Sequence, residues 1–267
     1  RDHRHVTSLL HRIETTDTGV LVTPTLSFDE RGHQVNHMTY YCVGWSGNGE
    51  KPVDFYPTAE DFVGEGGNFE RPYAIVKNAE GVKAGTKIEG LEAVGGLHFS
   101  EITLEPEEEC SYLIFTGITE DIQEIRNLSK TYTTREKVLE ELEKTKAYWQ
   151  EKVNVAYHTG DSDFNQFMHW VSFQPILRRI YGCSFLPHHD YGKGGRGWRD
   201  LWQDCLALLI MNPDGVRQML LDNFAGVRVD GSNATIIGSK QGEFVADRNN
   251  ITRVWMDHGV WPMITTK

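Results

Sequence analysis

The feature that most constrains the fold of this chain is a change in hydrophobic periodicity near Asp121. Before it, short runs of β-branched and aromatic residues are separated by Gly, Pro and Asn, which is typical of antiparallel strands. After it, apolar residues recur about every 3.6 positions, which is typical of helices. Strands followed by helices favour an α+β chain, or an all-β domain joined to an all-α one, with the boundary around residues 118–133.

The predicted strands are the β-prone runs at residues 20–23, 26–28, 40–45, 97–104 and 112–115. An amphipathic helix is predicted over residues 134–152, with Thr133 and Glu136 as its capping box. Later helices are predicted from the apolar spacing of residues 164–171 and 201–209, from Pro213 in a first turn, and near Trp255. Pro175 is expected to kink the first of these.

Charge and composition narrow the class of partner. The 267 residues include 38 acidic and 27 basic side chains, for a net charge of −11. An acidic surface repels the phosphates of nucleic acids and of anionic membranes, so neither is predicted as a partner. No apolar run approaches the roughly 18–20 residues of a membrane span, and the four cysteines lack metal-ligand spacing. These features predict a cytoplasmic protein with reduced thiols.

The two ends of the chain do not resemble the ends of a folded domain. The sequence opens in a charged string, residues 1–5, and stops within a predicted helix at Lys267. We therefore expect the chain to be a piece of a longer polypeptide, whose remainder is one of its partners.

The strongest candidate site is a helix face that follows a glycine-rich loop. Asp200, Gln203 and Asp204 stand at positions i, i+3 and i+4, so their side chains share one face of a helix. Carboxylates and an amide gathered there suit hydrogen bonding to several hydroxyl groups, as sugar recognition requires. The alternative is that the two acids only favour the positive end of the helix dipole.

The loop before this face, residues 192–197, satisfies the pattern G-x-G-x-x-G. It does not predict dinucleotide binding, because no βαβ unit surrounds it, and no Ser or Thr follows Lys193 as a phosphate-binding P-loop requires. Its glycines permit close backbone approach, and Lys193, Arg196 and Arg199 concentrate positive charge in an acidic protein. The alternative is a surface loop without a ligand.

Three further residues are weaker candidates. His189, in a His-His-Asp run, suits hydrogen bonding to sugar or phosphate better than metal binding, since no further ligands are suitably spaced. Trp198 offers a ring that can stack on a sugar, although most tryptophans in such helices belong to the core. Asp257, between Trp255 and His258, lies near a predicted helix start. No metal site is predicted.

Several of these residues occur in an order that resembles glycoside hydrolase family 94, the cellobiose, chitobiose and cellodextrin phosphorylases. The resemblance extends over nearly the whole chain, and its specific part is an aromatic-Arg-Asp-x-x-Gln-Asp element ending at Asp204. The stretch around it looks closest to the 1,2-β-oligoglucan phosphorylases. The segments that carry the resemblance are residues 68–72, 99–117, 174–179, 183–191 and 197–204.

The resemblance implies a fold and a reaction. Residues 1–118 would be the C-terminal part of an antiparallel β-sandwich, 119–155 linker helices, and 156–267 the first helices of an (α/α)6 barrel. Inorganic phosphate would attack the anomeric carbon of a terminal glucose, releasing α-glucose 1-phosphate with inversion, while one carboxylic acid protonates the glycosidic oxygen. Phosphate is a co-substrate, and no cofactor is implied.

The resemblance also assigns roles to individual residues. Asp200 matches the aspartate that binds the donor glucose, and Asp257 an acidic position near the same site. Cys183 stands where the family has an arginine that contacts phosphate, and another donor-site arginine falls at Gly194, where Arg196 is the expected substitute. The general acid matches nothing in this chain and is expected beyond Lys267.

Three functions remain open on this reasoning: a phosphorylase segment, an inverting hydrolase of the same plan, or a non-catalytic sugar-binding module. The predicted ligands are a β-linked glucan, most simply a β-1,2-oligoglucan, and inorganic phosphate. A second copy of the chain is a further candidate partner.

Overall fold

The computed structural model describes residues 7–29, 32–181, 196–237, 244–245 and 256–267. The chain divides into two compact units, Arg1–Ser27 with Gln34–Glu143, and Phe28–His33 with Lys144–Lys267. Antiparallel strands dominate the first unit and helices the second, which confirms the predicted α+β order. The finer division at residues 118 and 155 stays a prediction.

Nine strands precede residue 120 among the described residues: β1 (His11–Thr15), β2 (Gly19–Pro24), β3 (Leu26–Asp29), β4 (Gly32–Val35), β5 (Thr39–Ser46), β6 (Asp54–Thr58), β7 (Lys87–Glu89), β8 (Ala93–His98) and β9 (Tyr112–Thr119). Five of them form an antiparallel sheet in the order β7-β1-β2-β5-β9. Strand β3 pairs with β4, and β6 with β8. Two short helices, α1 (Ala59–Val63) and α2 (Tyr73–Lys77), lie between β6 and β7 in the chain.

The predicted strands are confirmed at β2, β3, β5 and β9, and the prediction for residues 97–104 is wrong beyond His98. Strand β8 ends there because His98 pairs with Asp54, the first residue of its partner β6. Strands β1, β4, β6 and β7 were not predicted. In β6 the register shifts between Tyr56 and Thr58, on either side of Pro57, which has no N–H to donate to a ladder.

The first unit has two buried clusters, one around Ile13, Val20 and Phe55 and one where the five-stranded sheet meets a helix, α3 (Ile122–Thr131). Val43, Trp45, Leu113 and Ile125 are buried together in the second cluster. The Trp45 indole donates to the Tyr132 carbonyl at 3.0 Å, so the hydrogen bond of a buried polar group is satisfied where the helix ends. This contact fixes α3 against strand β5.

The remaining helices are α4 (Arg135–Lys152), α5 (Ser162–Tyr181), α6 (Trp198–Met211), α7 (Val216–Phe224) and α8 (Val260–Thr266). Three two-residue strands, β10 (Arg196–Gly197), β11 (Ile236–Ile237) and β12 (Phe244–Val245), form a small sheet in that order. None of the helices in the described part of the chain is long and apolar enough to cross a membrane.

The predicted helices are present, with corrected ends. Helix α4 is confirmed, but its cap is Thr134 rather than Thr133, since the Lys137 amide donates to Thr134 Oγ1 at 3.5 Å. Helix α5 continues through Pro175. Pro213 does not open α7, because Gly215 at φ +74° precedes its first residue, and this left-handed residue interrupts a helix that would start earlier.

The core of the second unit is built around helix α6. Trp198, Leu201, Trp202, Cys205 and Leu208 are all buried and pack with residues of its neighbouring segments. At about 100° per residue these five positions occupy one face of the helix. Asp200, Gln203 and Asp204 lie on another side of the helix, on which Asp200 is exposed, Gln203 is half-buried and Asp204 is buried.

Candidate functional site

The site is organised by the first turn of α6, whose backbone and indole are held by two distant segments. The Trp198 amide donates to the Thr235 carbonyl at 2.9 Å, and its indole Nε1 donates to the His258 carbonyl at 3.0 Å. Strand β10, which leads into this turn, pairs with β11 through Gly197 and Ile236. The start of the helix is thus fixed by residues that follow it by several tens of positions.

Asp200 lies at the open N-terminal end of this helix. A Cβ added to Gly197 would stand 2.2 Å from Asp200 Oδ2, so the carboxylate lies over the glycine and would have to shift if residue 197 had a side chain. Asp200 is exposed, and a carboxylate at this position also interacts favourably with the positive end of the helix dipole. The two interpretations, ligand contact and helix-end charge, are compatible.

The predicted helix face does line a cleft. Asp200, Gln203 and Asp204 border an opening of about 390 Å³ in the second unit, together with Arg178 and Ser172 of α5. Its apolar lining consists of Val155, Tyr157, Val171, Pro175, Ala207, Ile210 and Met211. The volume is within the range of small-molecule sites, about 300–1,000 Å³, and hydroxyl-binding groups share the cleft with apolar surface.

Asp204 is held by an arginine. Arg178 Nε donates to Asp204 Oδ2 at 2.7 Å, and Arg178 Nη2 binds the other carboxylate oxygen. Asp204 is buried, with 8% of its surface exposed. A bidentate pair of this kind fixes the carboxylate and the guanidinium between α5 and α6. The prediction that Asp204 binds substrate stays a prediction.

Arg199 and Asp257 are also directed at each other. Arg199 Nη2 donates to Asp257 Oδ1 at 3.0 Å, and the Trp261 indole donates to Oδ2 at 3.2 Å. Desolvation acts to raise the pKa of Asp257, but the hydrogen bonds from Arg199 and Trp261 outweigh it and hold the pKa below its usual value. Both residues were predicted to bind substrate, and the structure brings them together as an ion pair.

Trp198 was predicted to be available for stacking on a sugar, and its placement corrects this. It is 1% exposed and packs edge-on against Trp202, with ring centroids 5.6 Å apart. Position 198 lies about 160° around the helix from Asp200, so the two side chains point to opposite sides. Trp198 is a core residue.

His258 is a buried polar residue that the sequence did not single out. It is 5% exposed, and its Nδ1 lies 3.1 Å from the side-chain nitrogen of Asn233. Burial lowers the pKa of the imidazole, although the charges of Asp257 and Asp200 act in the opposite direction. The ring is therefore neutral near pH 7. The backbone carbonyl of His258 accepts the hydrogen bond from the Trp198 indole.

Several predicted contacts lie outside the described residues. Lys193, His189 and Cys183 fall in the segment 182–195, and of Arg196 only the backbone is described, in strand β10. The predicted phosphate contacts therefore stay predictions. In the part of the chain that the structure describes, no group of three His, Cys, Asp or Glu residues is arranged to hold a metal ion.

Two comparisons with known proteins bear on the family. The sequence matches the model "Glycosyl hydrolase 94, supersandwich domain" over residues 1–135. It is also 25% identical over 225 residues to the cyclic beta-(1,2)-glucan synthase NdvB of Rhizobium meliloti (strain 1021), an alignment covering 82% of this chain and 8% of that protein. The chain thus spans less than a tenth of the relative's length.

The match confirms the predicted family and agrees with the strands of the first unit, which lie within the matched residues. It covers 135 of 267 residues, and the chain belongs to the glycosyl hydrolase 94 family.

Proposed function

We propose that the full-length protein cleaves a β-linked glucan with inorganic phosphate, inverting the anomeric configuration and releasing α-glucose 1-phosphate and a shortened glucan. The observation that carries the proposal is the cleft in which Asp200 and Gln203 meet apolar surface within a chain of this family. The β-1,2 linkage is the preferred substrate in this proposal, because the related synthase is named for a β-(1,2)-glucan.

Asp200 and Gln203 bind the donor glucose in this scheme. A carboxylate accepts hydrogen bonds from hydroxyl groups, and an amide can both donate and accept, so the pair can recognise adjacent hydroxyls of one sugar. Phosphate replaces the activated water of an inverting hydrolase and needs no carboxylate base. The residues assigned here bind and orient the sugar, and the proton donor is not among them.

We further propose that the helices of the second unit open an (α/α)6 barrel. Large apolar side chains are exposed on two of them, with Phe167 at 60% and Trp170 at 58% on α5 and Met263 at 66% on α8. Large exposed apolar patches often mark surfaces that other protein covers, and in this proposal further helices of the same polypeptide cover these side chains and leave the cleft open. As the sequence predicts, we propose a cytoplasmic enzyme without a cofactor.

The test is phosphorolysis by the full-length polypeptide on β-1,2-, β-1,3- and β-1,4-linked glucans, with glucose 1-phosphate as readout. Release from the β-1,2 series that depends on phosphate, and that Asp200→Ala abolishes, is the expected result. Hydrolysis without phosphate would instead identify an inverting hydrolase. Glucan binding by a wild type that turns over no glucan, with the affinity retained in Asp200→Ala, would identify a binding module, and either outcome overturns the proposal.

A further inference from the structure

Tyr157 is an aromatic residue of the cleft that neither the motifs nor the comparisons assign. It lies in the segment between α4 and α5, is half-buried, and lines the same opening as Asp200 and Gln203. Its ring contacts Phe164 edge-on, with centroids 6.3 Å apart at 86°. The two rings are thus nearly perpendicular, and Tyr157 forms part of the surface of the cleft.

The combination of groups in this cleft matches the shape of a pyranose. Such a ring has flat faces of C–H bonds and a rim of hydroxyl groups, so it is bound by an aromatic face together with carboxylates and amides. Tyr157 and Pro175 supply apolar surface, while Asp200 and Gln203 supply the polar groups. The apolar pair comes from the segment before α5 and from α5 itself, and the polar pair comes from α6.

The charges of the cleft favour a neutral ligand over an anionic one. Asp200 and Asp204 both border it, and its basic residue among the lining side chains, Arg178, forms a bidentate pair with Asp204. An anion such as phosphate would meet two carboxylates and a single guanidinium among the described lining residues, a net negative charge that repels it. A neutral sugar unit meets hydrogen-bond acceptors instead.

We propose that Tyr157 contacts the substrate, its ring stacking on a glucose unit of the glucan whose hydroxyls Asp200 binds. The proposal rests on the proposed function and adds to it the residue that selects for a pyranose in this cleft. It also replaces the stacking role predicted for Trp198, whose ring is enclosed in the core.

The experiment compares Tyr157→Ala, Tyr157→Leu and Tyr157→Phe in the full-length polypeptide, with Tyr148→Ala as the matched control. Tyr148 belongs to the same unit and is 45% exposed, but it is absent from the lining of the cleft. Aromatic contacts contribute about 0.5–1.5 kcal/mol beyond area burial, so losing the ring should raise KM for the glucan about 2- to 12-fold. Tyr157→Phe and Tyr148→Ala should leave it within about twofold of the wild type, and KM for phosphate should not change.

The outcomes separate this inference from the function on which it rests. If another helix of the polypeptide covers the cleft, Tyr157→Leu will lower the melting temperature without changing KM for the glucan, and the inference fails while phosphorolysis stands. If the wild type releases no glucose 1-phosphate, the proposed function fails. Calorimetric titration with a β-1,2-glucan then still tests the stacking, since equal affinity of the wild type and Tyr157→Leu would refute it.

Discussion

Replacing Asp204 with alanine is expected to destabilise the second unit by about 2–3 kcal/mol. Arg178 binds this carboxylate through two nitrogens, with the Nε–Oδ2 distance at 2.7 Å, and the Asp204 side chain is 11% exposed. Removing one member of a buried pair costs about 3–5 kcal/mol, because the other charge stays in a poorly solvated position. The Arg178 side chain is 30% exposed, so water screens part of that loss.

The assay is urea unfolding followed by tryptophan fluorescence, since Trp198 and Trp202 lie in the core of the same unit. Asp163→Ala, at an exposed acid in the first turn of α5, is the control and should cost less than about 1 kcal/mol. The double variant Arg178→Met with Asp204→Leu removes both charges and should recover most of the loss. A loss below about 0.5 kcal/mol for Asp204→Ala, or a double variant no more stable than the single one, would refute the reasoning.

Three further predictions concern pH and backbone conformation. The pKa of Asp257 is depressed by its partners, chiefly Arg199. The stability that this pair contributes is therefore present above about pH 4 and is lost as the pH falls through the folded-state pKa. The unfolding free energies of the wild type and Asp257→Asn should converge on acidification. Burial lowers the pKa of His258, so on acidification the unfolded state takes up a proton before the folded state does. Stability should therefore fall as the pH drops below about 6.5. In thermal melts at pH 5–8, His258→Gln should make the melting temperature less dependent on pH. Gly64 has φ +79° and an added Cβ there would stand 2.6 Å from a tyrosine side chain, whereas at Gly66, with φ +69°, nothing lies within 4 Å of it. Both alanine variants should therefore lose about 1–3 kcal/mol through backbone strain. In chemical unfolding Gly64→Ala should lose more than Gly66→Ala, because only its new Cβ meets another side chain.

Local periodicity predicted the helix face of the site but could not predict its partners. Asp200, Gln203 and Asp204 were expected on one side of a helix, and all three line one cleft. The same periodicity places Trp198 on the side of the helix opposite Asp200. If Asp200 faces the cleft, Trp198 must face the core, so its burial could have been predicted from the sequence. The prediction that Trp198 stacks on a sugar was based on its residue type and did not consider its angular position on the helix.

The ion pairs of the site were not predictable, because they join residues far apart in the chain. Arg178 and Asp204 are 26 positions apart, and Arg199 and Asp257 are 58. Spacing within one element says nothing about which residue of another element will face it. Strand β6 was missed for a related reason, since a run that contains Pro57 forms a strand only where its pairing with the partner strand shifts register.

The hydrogen bonds that hold the first turn of α6 also set an order on the folding of the chain during synthesis. The indole of Trp198 needs the carbonyl of His258, 60 residues later, and its amide needs that of Thr235. A chain grows from its N-terminus and its domains tend to fold as they emerge. The first unit can therefore fold before the second, while Asp200 acquires its final surroundings only after the segment around residue 258 has left the ribosome.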